Sequence, residues 1–371
     1  MTGVTWKTGK GARRKRRLRP SCTVQKRGIF MKNQVHREPD FENIRKVLQC
    51  QVPDRPTLFE YFMNGDVYLE AAGIWPDDPD PVVQLEYMAR AYAACGYDYV
   101  NTYGCDFCFP TGETQHKDTI SLNAHALIQS WEDLESYPWP DPKHGDYSRL
   151  EKIAPLLPGK MKLMTSSPGG LLENVISIVG YDNLCLMTYD DPELVQAIFD
   201  RVGGILVDYY EECAKYDTVG LLMVNDDWGF NTQTMLSVAD MRKYVFPWHK
   251  KMVEAAHKNG KLAVLHSCGY MVDIMEDVIE DMKYDGRHSY EDNIVPVEEA
   301  YRRWGGRIAI LGGIDVDFLA RRSEEEIRER AKNLLAMSAE KGGYALGSGN
   351  SIPDYVPAAK YFAMTSAVVD A

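Results

Sequence analysis

Leu262-Ala263-Val264-Leu265-His266-Ser267-Cys268-Gly269 is the stretch that decides the architecture. Its first four residues form a short apolar run of the kind that reads as a buried strand. His266 and Cys268, two residues apart at the end of that run, point to the same side of an extended chain because strand side chains alternate. Imidazole and thiolate together are half of a zinc site. Without a metal, the same pair is a hydrogen-bonded histidine beside a small buried thiol.

The same unit, an apolar run closed by polar or glycine residues, recurs along the chain. Strands are expected over residues 58–62, 97–102, 162–166, 219–224, 262–265, 284–289, 307–311 and 343–346. Between them, helices are expected over 40–48, 81–95, 192–215, 239–259 and 297–304, followed by one that Ser323 caps and one after Pro357. The capped helix opens Glu324-Glu325-Glu326, acids suited to the positive end of a helix dipole. Eight alternating units in 371 residues favour a single α/β domain, a (β/α)8 TIM barrel over residues 40–371, rather than a doubly wound sheet. No G-x-G-x-x-G phosphate loop opens an N-terminal helix. Residues 104–160 form a long insertion after the second expected strand.

Composition narrows the function classes. Hydrophobic residues make up 45% and charged residues 26%, ordinary values for a soluble globular chain. No apolar stretch approaches the roughly 18 residues of a bilayer span. The net charge of −12 is unevenly placed. Residues 1–30 hold ten Lys or Arg and no acid, leaving 32 basic and 54 acidic residues, a net −22, for the rest. We expect residues 1–30 to be a disordered basic extension to a body beginning near Met31. The acidic body argues against general nucleic-acid binding. Eight scattered Cys without a disulfide framework suit a reducing cytoplasm. Cys105-Asp106-Phe107-Cys108 lacks the second CxxC of a zinc ribbon and reads as two loop thiols.

In a barrel, the loops after the strands converge on one mouth, so their polar residues are read jointly. The candidates for substrate contact are Glu60, Asn64, Asn101, Tyr103, Asn225, His288, Tyr290, Ser348 and Asn350. Asn225-Asp226-Asp227 sets two carboxylates and an amide just past the fourth expected strand. Asp226 or Asp227 is suited to grip a cationic or amide-bearing ring, or to donate a proton if burial raises its pKa. His266 is the third catalytic candidate. For a metal, His266 and Cys268 need an oxygen ligand, which Glu291 could supply; His288 is an alternative nitrogen. Three protein ligands suffice for a catalytic zinc with an open position. Nucleophile elbows and H-E-x-x-H are absent, and Gly347-Ser348-Gly349 has the wrong spacing for an elbow.

Several segments together resemble the uroporphyrinogen decarboxylase superfamily, from about Asp40 to the C-terminus. They are His266-Ser267-Cys268-Gly269, Leu311-Gly312-Gly313-Ile314-Asp315, Ser323-Glu324-Glu325-Glu326-Ile327, and Gly343-Tyr344-Ala345-Leu346 followed by Pro353 and Pro357. The resemblance implies the barrel fold. It does not imply porphyrinogen decarboxylation, because the Arg-rich segment that pairs with substrate carboxylates is replaced here by Leu58-Phe59-Glu60-Tyr61-Phe62-Met63-Asn64-Gly65. An acid there, in an acidic body, repels a polyanion.

The corrinoid-dependent methyltransferase branch is closer. Its zinc-dependent members use His-x-Cys and a later Cys; His266 and Cys268 match the first two, and Ser348 stands at or near the last. Cobalamin-independent methionine synthase, which the superfamily resembles, adds a Glu between, at about the spacing of Glu291. The resemblance thus implies a cytoplasmic enzyme that moves methyl groups between a corrinoid (methylcobalamin, or a corrinoid protein partner) and a small-molecule acceptor such as a thiol or tetrahydrofolate, with zinc as a candidate cofactor. A carboxy-lyase acting on a smaller substrate and a barrel retained only for binding are the alternatives.

Overall fold

The apolar runs fall side by side. β1 (Tyr99–Tyr103), β2 (Lys162–Ser166), β3 (Val219–Asn225), β4 (Leu262–His266), β5 (Gly286–His288), β6 (Ala309–Leu311) and β7 (Tyr344–Ala345) form one parallel sheet whose spatial order is the chain order. The computed structural model describes residues 35, 37–111 and 126–370. The expected basic extension over residues 1–30 lies outside the described residues, as does the 112–125 part of the long insertion.

Seven strands form where eight were expected. Residues 58–62 contribute a single parallel bridge, Leu58 to Leu346, in which Phe59 N donates to Leu346 O and Leu346 N to Thr57 O, both at 2.8 Å. On the other side, the Tyr99 hydroxyl donates to Glu60 O and accepts from Glu60 N, both at 2.7 Å. Among the described residues no backbone hydrogen bond joins that segment to β1. The first and last strands therefore reach the same segment, so the sheet is curled into a barrel-like wall. One edge of the segment is held by ladder bonds and the other by side chains, the Tyr99 hydroxyl on Glu60 and the Tyr92 hydroxyl on Tyr61 O at 2.9 Å.

The helices follow local chemistry. Asp40 caps Phe41–Leu48, and Asp80, followed by Pro81, caps Pro81–Cys95, which ends at Gly96 in the left-handed region. Ser323 and Glu326 form the reciprocal capping box of Glu324–Ser338. The helix expected over 239–259 forms in three pieces, with a π turn at Met241–Val245 before Phe246–Lys258. Pro247 has no N–H for an i−4 carbonyl, so the wider turn falls where the ordinary ladder is broken. Among the described residues, no helix is long and apolar enough to cross a membrane.

Candidate functional site

Strand register assembles the site. Asn225 is paired with His266, and His266 with His288, so three polar side chains stand side by side at the carboxyl ends of β3, β4 and β5. The chain then turns outward. Ser267 and Cys268 follow β4, with Gly269 at φ +83° packed against Gly229; a Cβ there would lie 2.1 Å from Gly229 O. That close approach brings Asp227 beside Cys268, whose N–H donates to Asp227 Oδ1 at 2.8 Å.

Asp227, His266 and Cys268 are all buried, and one potential ligand atom from each lies within 4.8 Å of the others. The set is oxygen, nitrogen and sulfur, a combination that suits zinc. Cys268 Sγ lies 3.9 Å from His266 Nε2, and accepts from Asn350 Nδ2 at 3.2 Å and Ser289 Oγ at 3.5 Å. Ser289 has φ +86°, the left-handed region that a residue with a Cβ rarely adopts, so backbone strain holds one of the two sulfur donors. Burial pushes the Cys268 thiol well up, with Asp227 adding to the effect. A bound cation reverses that balance, because a coordinating thiol is deprotonated.

Glu291, the oxygen ligand expected from the sequence, lies outside that cluster. Glu291 instead accepts from Gly269 N at 3.2 Å, and Asp227 supplies the oxygen of the cluster. Ser348 is also turned elsewhere: its Oγ donates to Glu60 Oε1 at 2.8 Å and its N to Glu60 Oε2 at 3.2 Å. Glu60 is fully buried, and desolvation raises its pKa to about 8.

Asp226 sits differently from Asp227. Its carboxylate is fully buried and accepts from Leu172 N, Glu173 N, Trp228 Nε1 and His249 Nε2 at 2.8 to 3.0 Å. Four donors converge on it, three on Oδ2 and one on Oδ1, so it pins the helix start Leu171–Val179 to the end of β3. Glu173, which the sequence reading missed, lies in that helix's first turn. Burial first, then Asp227 and Asp226, push it up to about 8. Ser167-Pro168-Gly169-Gly170 ahead of it was the available signal, a tight turn delivering a helix N-terminus to the strand ends.

Of the other candidates, Asn225 leaves its Oδ1 buried without a partner, an acceptor awaiting a donor. Asn101 Oδ1 accepts from Ser166 Oγ at 3.2 Å. Asn64 caps Gly65–Ala72 and donates to Pro353 O and Val356 O, so its polar atoms serve the fold. Tyr103 is half-buried at the end of β1. Tyr290 stacks on the Arg287 guanidinium at 4.4 Å, and its hydroxyl is buried without a partner. In the CxxC stretch Cys105 is buried and Cys108 exposed; neither belongs to the metal-type cluster.

A curled parallel sheet with its polar cluster at the carboxyl ends of the strands is the layout of an α/β barrel-type enzyme fold. The chain belongs to the uroporphyrinogen decarboxylase (URO-D) family, whose model matches residues 103–370. Uroporphyrinogen decarboxylases of Anaeromyxobacter sp. (strain Fw109-5) and Anaeromyxobacter dehalogenans (strain 2CP-C) are 25% and 24% identical over 189 residues, 51% of this chain. The chain spans about half the length of these curated relatives. A methyltransferase from Methanosarcina mazei shares the fold at a TM-score of 0.66 and 16% identity, over 88% of this chain and 97% of that one.

Proposed function

We propose that this chain is a cytoplasmic methyltransferase that moves a methyl group between a corrinoid, carried by a partner protein, and an acceptor such as a thiol or tetrahydrofolate. The observation that carries this reading is the buried Asp227–His266–Cys268 cluster, which fits zinc in donor type, number and spacing. Zinc held there would supply a Lewis acid that keeps a thiol acceptor as its thiolate.

The chain's own residues do the remainder. Asn350 and Ser289 donate to Cys268 Sγ and favour its charged form. Asp227 is oriented by the Cys268 N–H. Glu173, with a pKa of about 8, can take up or return the acceptor's proton near neutrality. Asn225 Oδ1 offers an acceptor to an N–H group, as a pterin ring would present. The same reading treats the wall as a (β/α)8 barrel in one domain over residues 40–371, with residues 58–62 as its first strand.

A second reading, a lyase acting on a smaller carboxylated substrate, is favoured by one observation. Glu173 holds a proton at neutral pH at the strand ends, where a decarboxylated carbanion needs a donor.

Metal analysis of protein purified without chelator tests the first reading. One zinc per chain is expected, lost or at least tenfold weaker in Cys268→Ala, His266→Ala and Asp227→Asn, and retained in Glu291→Gln. Substoichiometric zinc unchanged by all four substitutions would sink it. Methyl transfer from methylcobalamin to a thiol or tetrahydrofolate separates the methyltransferase from the lyase, which releases carbon dioxide instead.

A further inference from the structure

His266 and His288 meet nitrogen to nitrogen: Nδ1 of one lies 2.8 Å from Nδ1 of the other. One of those nitrogens carries the proton and the other accepts it. The far side of His288 decides which. Its Nε2 lies 3.3 Å from Ser348 O, and a carbonyl can only accept, so His288 Nε2 carries a hydrogen. His288 is fully buried, with the Phe59 ring centroid 5.1 Å from its own and no carboxylate among its hydrogen-bond partners. Such a site disfavours the imidazolium. Neutral His288 with Nε2–H has a bare Nδ1, which must accept from His266 Nδ1–H.

We infer that His288 is a positioning residue that fixes His266 as its Nδ1–H tautomer, leaving the Nε2 lone pair bare toward Cys268 and Asp227. The device reaches further back. Ser348 O is held in place because its own N and Oγ are tied to Glu60, and because Gly313 N also donates to it at 2.8 Å. Gly312, at φ +69°, makes room: a Cβ there would stand 2.2 Å from Ser348 O and 3.0 Å from His288 Nε2. Glu60, Ser348, His288 and His266 thus form a string of contacts, from the seam segment through the end of β7 to β5 and β4. Its outcome is the orientation of one lone pair. Ser348, which could not serve zinc as a thiolate would, has this different task through its carbonyl.

The tautomer assignment stands without any metal; its consequence for affinity rests on the zinc reading above. Nitrogen NMR of 15N-histidine-labelled, metal-free protein at neutral pH tests the assignment directly. The expected result is a protonated Nδ1 and bare Nε2 on His266, with the reverse on His288. His288→Gln should preserve the His266 pattern, since a Gln amide can donate to Ser348 O and accept from His266 Nδ1–H. His288→Leu should shift His266 toward its Nε2–H form and weaken zinc binding about 10–100-fold, while His288→Gln stays close to the parent. A His266 found as Nε2–H in the parent protein overturns the inference, as does a His266 tautomer unchanged in His288→Leu. Absence of zinc binding in the parent would defeat the proposed function but leave the NMR answer standing.

Discussion

Glu60 and Glu173 are carboxyl groups that burial pushes up to about 8 from an ordinary value near 4.5. The folded protein therefore binds more protons than the unfolded chain between those values. Stability present below about pH 4.5 is lost as pH rises toward 8. Glu60→Gln removes one titrating group while keeping hydrogen-bonding atoms beside Ser348. Its unfolding temperature should fall less between pH 5 and 8 than that of the parent, read from thermal unfolding at a series of pH values. Parallel pH curves for the two proteins would refute the buried-proton account. Residue identities at the site were partly legible in the sequence. His266 and Cys268 were visible as strand-end residues of metal-binding type, and Asp227 as a strand-end carboxylate suited to ring binding or proton donation. That Asp227 and not Glu291 joins them was hidden, because the Gly229–Gly269 approach that aligns them is a contact between loops. Glu173 was hidden for another reason: an acid in a first helical turn looks like an ordinary response to the dipole.

At the scale of elements, Asp226 is the joint between a strand and a helix. It takes the Leu172 and Glu173 amides, the Trp228 indole and His249, whose Nδ1 in turn meets Tyr284 hydroxyl at 2.8 Å. Removing it leaves buried donors unsatisfied on three elements. Asp226→Ala should cost about 3–5 kcal/mol in urea unfolding. Helices and strands with strong apolar runs and clear caps were legible: β2 occupies residues 162–166 as expected, and the 81–95 and 297–304 helices keep their bounds. The helices Leu171–Val179, Tyr181–Asp190 and Val316–Arg321 were not expected. Gly180 divides the first two, and their apolar residues blend into neighbouring runs, so periodicity alone did not separate them.

At the scale of the whole molecule, the alternation of parallel strands and helices was readable from the sequence, but how many strands join the sheet and how completely the wall closes were not. Closure depends on which groups face each other across the seam, and the phenol of Tyr99 stands there in place of a ladder. Tyr99→Phe leaves both Glu60 backbone groups without that partner and should cost about 1–3 kcal/mol of stability. Hydrogen exchange at the Glu60 amide should accelerate more than at amides of β2 to β4, which have strand partners on both sides. Equal acceleration everywhere would mean that the hydroxyl only adds global stability. On the other side of the segment the approach is closer, since a Cβ on Gly347 would fall 1.7 Å from Phe59 O.

The seam also has a mechanical meaning. A wall joined on one side by side chains in place of a ladder is anisotropic under load: pulled around its circumference, it should part between Tyr99 and Glu60 while the remaining strands stay zipped. Glu60 anchors the string that ends at His266, so the first rupture in a pulling experiment would also release the His266 imidazole from its fixed orientation.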